Sequence, residues 1–225
     1  MRIYSYLTET FLTTGCLLIL LLSAVGCERT RQGGDLDKIR ERGTLIVLTR
    51  NAPTMYYEGR DGLAGMEYEM AAAFAEHLGV KPEFKIEETI GDILEALADG
   101  KGDLAAAGLT PTSERMQTFL AGPAYQMVEQ QVVCRRGGSR VKGVKELDDV
   151  KLMVPAESSY VDRLGKLRED DPRLTWEVSE EEDTEQLLEQ VWEETLDCTV
   201  ADSNIVAINR RYYPELVVAF NLTEP

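Results

Sequence analysis

The sequence contains one histidine, His77, among 225 residues, and this scarcity narrows the chemistry that the chain can carry. Any Ser-His-Asp or Cys-His catalytic set would have to be built around that single imidazole. The surrounding segment, AFAEHLGV, places His77 near the end of a predicted helix, where we expect an exposed side chain. The sequence has neither a CxxC nor an HExxH motif, and no pair of carboxylates stands out as glycosidase-like. We therefore predict no catalytic residues, no metal site and no cofactor.

Basic residues are also in short supply, with 24 Lys and Arg against 40 Asp and Glu, for a net charge of -16. Nucleic-acid binding is excluded because phosphate neutralisation needs clustered basic side chains, and the sequence has no basic stripe. The densest charge runs are acidic, EDD at 169–171 and SEEEDTE at 179–185. We interpret them as a solvated face, since a metal-binding loop would need a defined spacing of ligands.

The sequence lacks a long apolar run, and the one near the N-terminus, at 17–22, is too short for a membrane span. It is typical of a secretory signal. SAVGC at 23–27 resembles a bacterial lipobox and predicts a signal peptide over 1–26, with Cys27 lipidated. Ala24 stands where Leu is commonest, so an uncleaved signal anchor and a cleaved soluble form stay open. Glu28 favours the outer membrane, which predicts a periplasm-facing lipoprotein of the bacterial cell envelope.

Two of the four cysteines, Cys134 and Cys198, lie outside this N-terminal segment, each within a strand-like run. Two such thiols in an exported protein are able to form a disulfide. A small buried residue that simply packs in the core is the more common outcome. We expect packing, with the disulfide as the alternative.

Past a predicted tether at 27–43, the first half of the chain alternates strands and helices. The pattern predicts β-α-β-α-β, which implies a parallel sheet covered by helices. We assign this first lobe to residues 44–127. The predicted elements are strands at 44–50, 81–88 and 103–108 and helices at 66–79 and 90–100.

The second half repeats the plan, and we assign a second lobe to residues 128–222. ILEALADGKGDLAAAG (93–108) aligns without a gap on LLEQVWEETLDCTVAD (187–202), which pairs Asp103 with Asp197 and Gly108 with Asp202. The strands at 127–136 and 215–225 are predicted hinges between the lobes. The other predicted elements are strands at 151–155, 174–180 and 197–202 and helices at 158–169, 183–195 and 204–214.

Hydroxyl and charged side chains directly follow a predicted strand in GLTPTSER (108–115). Open parallel sheets bind ligands at the carboxyl ends of their strands. Two lobes that face each other would therefore form a cleft with 108–115 on one wall and Asp202 on the other.

GDLAAAGLTPTSER (102–115), FLAGPAY (119–125) and the opening stretch at 44–80 are similar to the family 3 periplasmic solute-binding proteins. This resemblance implies a two-lobed α/β fold of the type II periplasmic-binding-protein kind, with parallel-rich sheets and helices on both faces. AAGL, SER, GPAY, QQVV, VADS and PELVVA resemble, more closely, the N-terminal module of membrane-bound peptidoglycan lytic transglycosylases. That likeness implies a regulatory module that precedes a lysozyme-like domain, and a chain truncated before the first lobe is complete.

The resemblance also implies roles for single residues in holding a small molecule with a carboxylate and an ammonium group. Arg115 would hold the carboxylate as a bidentate pair, and Asp202 would pair with the ammonium. Tyr56 or Tyr57 would supply an aromatic wall. The expected hydrogen-bond donors are Thr110 and Thr112 in the first lobe and Ser158 and Ser159 in the second.

Helix capping is the alternative explanation for Thr112, Asp202 and the Ser158–Ser159 pair, since each precedes a predicted helix. AESS (156–159) replaces the Gly-Thr or Gly-Ser step common in transport proteins, which favours the transglycosylase branch. The expected ligand is an amino acid, a peptide or a muropeptide, with the membrane and peptidoglycan as further partners. Two other functions remain open, namely the substrate-binding lipoprotein of an amino-acid transporter and a scaffold that binds no ligand.

Overall fold

The structure, a computed structural model, describes residues 35–224. The predicted signal peptide (1–26), the lipidation of Cys27 and the first part of the predicted tether lie outside the described residues. Across 35–224, no helix is both long enough and apolar enough to cross a membrane. The chain from Asp35 onward forms one compact unit that contains two main sheets.

The first sheet is formed by three parallel strands in the first half of the chain. The elements of this half are α1 (Asp35–Arg42), β1 (Thr44–Thr49), β2 (Tyr57–Gly59), β3 (Gly62–Ala64), α2 (Met66–Leu78), β4 (Lys81–Ile86), α3 (Ile90–Ala98) and β5 (Leu104–Ala105). The sheet order is β4-β1-β5, which places β1 at the centre. The β2–β3 hairpin was not predicted, because its strands of three residues are too short to show an alternating pattern.

The prediction of a tether through residue 43 is wrong for 35–42, which form α1. Ile39 of this helix is buried against Leu45, Val47 and Ala71. Acidic residues in the first turn and basic residues in the last turn complement the helix dipole. The helix therefore belongs to the first lobe.

The second sheet has five strands in the order β10-β6-β9-β7-β8. Its half of the chain contains β6 (Gln130–Arg135), β7 (Leu152–Pro155), α4 (Ser159–Asp170), β8 (Glu177–Ser179), α5 (Thr184–Trp192), β9 (Cys198–Asp202), α6 (Ser203–Asn209) and β10 (Leu216–Asn221). β7 is parallel to β8 and β9, whereas β6 runs antiparallel to β9 and β10. The two predicted hinge strands are thus neighbours in this sheet, and their hinge role stays a prediction.

Helices cover both faces of each sheet, which confirms the predicted α/β class. In the first lobe, Leu48 packs with Ile93 of α3 on one face. Leu45 and Val47 pack with Ala71 of α2 on the other face. Two further clusters of buried apolar residues cover the faces of the second sheet, with α4 on one side and α5 and α6 on the other.

Cys134 and Cys198 form a disulfide, which corrects the expectation that they only pack. They are directly paired on the antiparallel strands β6 and β9, with their Cα atoms 4.3 Å apart. The sequence placed each cysteine in a strand but held no information on which strands are neighbours.

The predicted internal repeat appears in the structure as matching local contacts. Thr89 begins α3 with a capping box, and Asp183 begins α5 with the same arrangement. Asp103 accepts a hydrogen bond from the amide of Ile46 at 2.7 Å. Asp197 likewise accepts one from the amide of Lys151 at 2.8 Å. The two aspartates join equivalent strands within their own lobes, so their role is structural.

Candidate functional site

The TPTSER segment begins where the chain leaves the first sheet. Gly108 has φ 65°, a left-handed conformation that favours glycine and turns the backbone after β5. The hydroxyl of Thr112 then accepts a hydrogen bond from the amide of Arg115 at 3.3 Å. A short 3-10 helix begins at Arg115. Thr112 therefore does cap a helical turn, and the cap fixes where the Arg115 side chain starts.

The Arg115 guanidinium lies between the two lobes. Its Nη1 donates to the carbonyl of Thr110 at 2.9 Å, and its Nη2 donates to the carbonyl of Glu157 at 2.7 Å. These bonds use two of the five N–H groups of a guanidinium. Burial lowers the pKa of Arg115, while the nearby carboxylates of Asp162 and Glu157 raise it.

Glu157 contacts the first lobe from the start of α4. Its φ of 51° is unusual for a residue other than glycine. Its carboxyl group lies close to Gly91 of α3, since a Cβ added there would be 3.3 Å from the Glu157 Cδ. The backbone and the side chain of this residue therefore both contribute to the contact between the lobes.

The two predicted serines are buried and hydrogen-bonded within the second lobe. The Ser158 hydroxyl donates to the carbonyl of Pro155 at 2.7 Å. The Ser159 hydroxyl accepts from the side-chain amide of Gln130 at 3.0 Å. Ser158 is the residue that precedes α4, yet its side chain makes no capping bond. Both hydroxyls are therefore engaged within the second lobe, at the N-terminal end of α4.

Asp202 ends β9 and is only 8% exposed. Its amide donates to the Tyr160 hydroxyl at 3.1 Å. Its side chain does not cap α6, and its Oδ1 is buried without a hydrogen-bond partner. Burial raises the pKa of Asp202 to about 6, although Tyr160 and the charge of Arg50 act in the opposite direction. An unsatisfied buried carboxylate oxygen is costly, so it marks a position where a donor would be stabilising.

Sequence reasoning missed Arg50, which directly follows β1. Arg50 is 5% exposed. Its Nη1 lies 3.3 Å from the Asp183 Oδ2 and 3.3 Å from the Glu185 Oε2, so the ion pairs join the first lobe to the start of α5. Its Nε is buried without a partner. The available signal was a charged residue at the end of an apolar strand, but Arg50 was counted as part of that strand.

The charge of Arg50 acts on both walls of the cleft. It lowers the pKa of Glu185, Asp202 and Glu67, although burial of each carboxyl group is the larger effect and raises the pKa overall. Arg50, Asp183 and Thr89 border a partly open cavity of about 40 Å³ between the lobes.

Tyr56 lies in an aromatic cluster of the first lobe. Its ring centroid is 5.6 Å from that of Tyr68 and 5.3 Å from that of Phe84. Tyr57 is exposed on the β2–β3 hairpin. The structure therefore groups Arg115 with the start of α4 and Asp202 with Arg50 and Tyr160, whereas Tyr56 packs against aromatic neighbours.

Two further observations concern the only histidine and possible metal sites. His77 is exposed in the last turn of α2, as predicted. Across residues 35–224, no group of three or more His, Cys, Asp or Glu side chains is arranged to hold a metal ion. The observed arrangement supplies hydrogen-bond donors and paired charges, which are suited to recognition of a polar small molecule.

Curated relatives of this chain carry the name membrane-bound lytic murein transglycosylase F. The Alkalilimnicola ehrlichii protein, membrane-bound lytic murein transglycosylase F 1, is 45% identical over 84% of this chain and 38% of its own length. The Saccharophagus degradans protein is 39% identical over 92% of this chain and 42% of its own length. This chain thus spans well under half the length of these relatives.

Solved structures share the fold. An ancestral arginine-binding protein bound to arginine is 26% identical with a TM-score of 0.71, and the match covers 80% of each chain. The P235GK mutant of ArgBP from T. maritima is 21% identical with a TM-score of 0.72, over 82% of this chain and 79% of that chain. The sequence model for "Bacterial extracellular solute-binding proteins, family 3" matches residues 44–215, which is most of the chain. The chain therefore belongs to the family 3 bacterial extracellular solute-binding proteins, as a module homologous to part of lytic murein transglycosylase F.

Proposed function

We propose that the cleft between the two lobes binds a small molecule that carries a carboxylate and an ammonium group, such as an amino acid, a peptide or a muropeptide. The observation that supports this proposal is a pair of unlike charged groups, Arg115 and Asp202, that each keep unused hydrogen-bonding capacity. The guanidinium of Arg115 lies at the boundary of the lobes, and Asp202 has a buried oxygen without a partner.

Arg115 is the proposed anchor for the carboxylate. Three N–H groups of its guanidinium are not used by Thr110 and Glu157, and a bidentate pair needs two. The side chain of Thr110 and the N-terminal end of α4, at Ser158 and Ser159, are the further groups that we propose to contact the carboxylate. Exposed amides at the N-terminus of a helix add favourable interactions with an anion.

Asp202 is the proposed partner of the ammonium group. A cation beside its Oδ1 would supply the missing hydrogen bond and stabilise the charged carboxylate. The nearby Tyr160 hydroxyl holds the Asp202 amide and thereby fixes the end of β9. Tyr56 is not used in this proposal, because its ring packs against Tyr68 and Phe84.

The biological role that we propose is regulation of a peptidoglycan lytic transglycosylase in the cell envelope. The relatives named as membrane-bound lytic murein transglycosylase F support it. Ligand-dependent closure of the lobes would change the orientation of any domain linked to this module. To test this role, each ligand found for this chain is added to a full-length relative, and the rate at which that enzyme releases soluble muropeptides from peptidoglycan is measured. An unchanged rate with every bound ligand would argue against regulation.

A second candidate is delivery of an amino acid to a transporter. Structures described as arginine-bound and glutamine-bound ancestral proteins, each 26% identical to this chain, favour amino-acid recognition. Selective binding of free amino acids with no affinity for muropeptides would favour this role over regulation.

The binding proposal is tested by a thermal-shift screen of the purified chain against amino acids, dipeptides and soluble muropeptides, with calorimetry on every hit. We expect a hit whose effect disappears in Arg115→Ala. If no compound shifts the melting of the folded chain, the proposal is wrong, and a scaffold without a ligand becomes the better explanation.

We further propose attachment to the bacterial outer membrane through a lipid on Cys27, facing the periplasm. The lipobox-like SAVGC supports this anchor. Mass spectrometry of the mature N-terminus, with Cys27→Ser as the control, is the direct measurement. A mature chain without acyl groups would contradict the anchor.

A further inference from the structure

One end of the cleft is occupied by a side chain of the protein itself. The guanidinium of Arg50 extends from the first lobe to the start of α5, where Asp183 and Glu185 each lie 3.3 Å from its Nη1. The arrangement is a cation from one lobe held by an acidic pocket on the other.

The pocket holds more negative charge than Arg50 balances. Two carboxyl groups, those of Asp183 and Glu185, lie beside a single guanidinium. Hydrogen bonding is also incomplete, since the Arg50 Nε is buried without a partner. A pocket built only for this arginine would be expected to satisfy that N–H group, because unpaired buried polar atoms are costly.

We propose that Asp183 and Glu185 form a cation subsite of the cleft and that Arg50 is its built-in occupant. The inference rests on the proposed function, since it assigns selectivity to the same cleft. With Arg50 in place, the cleft excludes ligands that extend a guanidinium or ammonium side chain into this end. Ligands that are neutral or acidic at that end are accepted and leave the ion pairs between the lobes intact.

Exclusion follows from the ion pairs themselves. The Arg50 Nη1 already lies 3.3 Å from the carboxylates of Asp183 and Glu185, so a ligand cation cannot make the same contacts while Arg50 stays in place. Arg50 would have to leave, and its departure would break two ion pairs in which its own side chain is 6% exposed. Removal of one partner from a buried pair leaves the other charges uncompensated, so a competing cation must restore the same contacts.

The variant Arg50→Ala empties the subsite. Two probes then test whether the empty subsite binds a cation alone and whether it binds the cationic side chain of an amino acid. Ethylguanidinium carries only the cation, whereas L-arginine carries the cation together with the α-carboxylate and α-ammonium groups. We expect both to raise the melting temperature of Arg50→Ala. By calorimetry, L-arginine should bind the variant at least about tenfold more tightly than the wild type, since a buried charge-assisted contact is gained.

Two matched variants control for the loss of any arginine. Arg50→Lys keeps a cation in the subsite and should not gain affinity for ethylguanidinium. Arg136→Ala removes an exposed arginine and should behave as the wild type does. If Arg50→Ala does not fold, the double variant Arg50→Ala/Glu185→Gln relieves part of the uncompensated charge. Its affinity for L-arginine is then compared with that of Glu185→Gln alone, and we expect tighter binding by the double variant.

The outcomes distinguish this inference from the proposed function. A folded Arg50→Ala that binds neither probe more tightly than the wild type overturns the cation subsite, even if the wild type binds other amino acids through Arg115. A gain for ethylguanidinium in a protein that binds no amino acid or peptide supports the subsite and rejects the proposed function. Equal binding of L-arginine by the wild type and Arg50→Ala also overturns the role of Arg50 as an occupant.

Discussion

The carboxylate of Glu67 accepts a hydrogen bond from the amide of Gly108 at 2.8 Å. Its second oxygen accepts a hydrogen bond from the Tyr125 hydroxyl. Glu67 lies in the first turn of α2 and is 4% exposed, so these bonds are shielded from water. The hydrogen bond between Glu67 and Gly108 connects α2 to the chain that follows β5, where the GLTPTSER segment begins. Glu67 thus holds the start of the GLTPTSER segment against α2.

The first prediction concerns Glu67. Glu67→Ala should lower the free energy of unfolding by about 1–3 kcal/mol, because the Gly108 amide and the Tyr125 hydroxyl lose their acceptor. Glu67→Gln keeps an oxygen acceptor and should cost less. Urea unfolding of the three proteins measures the difference. Equal stability of Glu67→Ala and the wild type would show that the bond to Gly108 contributes nothing.

The second prediction concerns Arg115. Arg115→Ala should weaken binding of a carboxylate ligand by about 2–4 kcal/mol, because it removes a charge-assisted bidentate contact. Arg115→Lys keeps the charge without the planar pair of donors and should recover only part of the affinity. Calorimetry with a ligand from the screen gives both values. Affinity in Arg115→Ala that matches the Arg136→Ala control would remove Arg115 from the site.

The sequence allowed the order of strands and helices to be predicted, because apolar periodicity and stop signals report local structure. The helix starts at Thr89 and Asp183 follow from capping boxes that depend only on residues three apart. The same reasoning failed at β2 and β3, where three-residue strands are set by contacts with each other rather than by an apolar pattern.

The candidate site was predictable only where a motif was local. TPTSER supplied Arg115 and Thr112, whereas the ion pairs of Arg50 with Asp183 and Glu185 join residues from distant parts of the sequence. No local pattern indicates which acidic residue of the run at 179–185 faces a cleft. The disulfide was missed for the same reason, since the pairing of β6 with β9 is a property of the sheet.

The third prediction concerns that disulfide. Cys134→Ser/Cys198→Ser should be less stable by about 4 kcal/mol, because a crosslink across this sequence separation strongly restricts the unfolded chain. Reductant should lower the urea midpoint of the wild type toward that of the double variant. The urea midpoint of the double variant should not change when reductant is added. Identical midpoints for the oxidised wild type and the double variant would mean that the crosslink adds no stability.

The fourth prediction concerns the pH dependence that Asp202 creates. Burial raises the pKa of Asp202 from 3.8 to about 6 in the folded protein. As pH rises through this window, the unfolded chain loses the proton first, so the folded state becomes relatively less stable. The cost is absent below the lower value and complete above the higher one, where it reaches about 3 kcal/mol.

Asp202→Asn removes that titration while it keeps the shape of the side chain. Its free energy of unfolding should fall less between pH about 4 and about 7 than that of the wild type, and should be higher near neutrality. Glu67, whose pKa is also raised, remains in both proteins and cancels in the comparison. An ammonium ligand should bind the wild type more tightly as pH rises through the same window, because it favours the charged Asp202. Parallel stability curves for the two proteins, with pH-independent affinity in the wild type, would show that Asp202 neither titrates in this range nor contacts the ammonium.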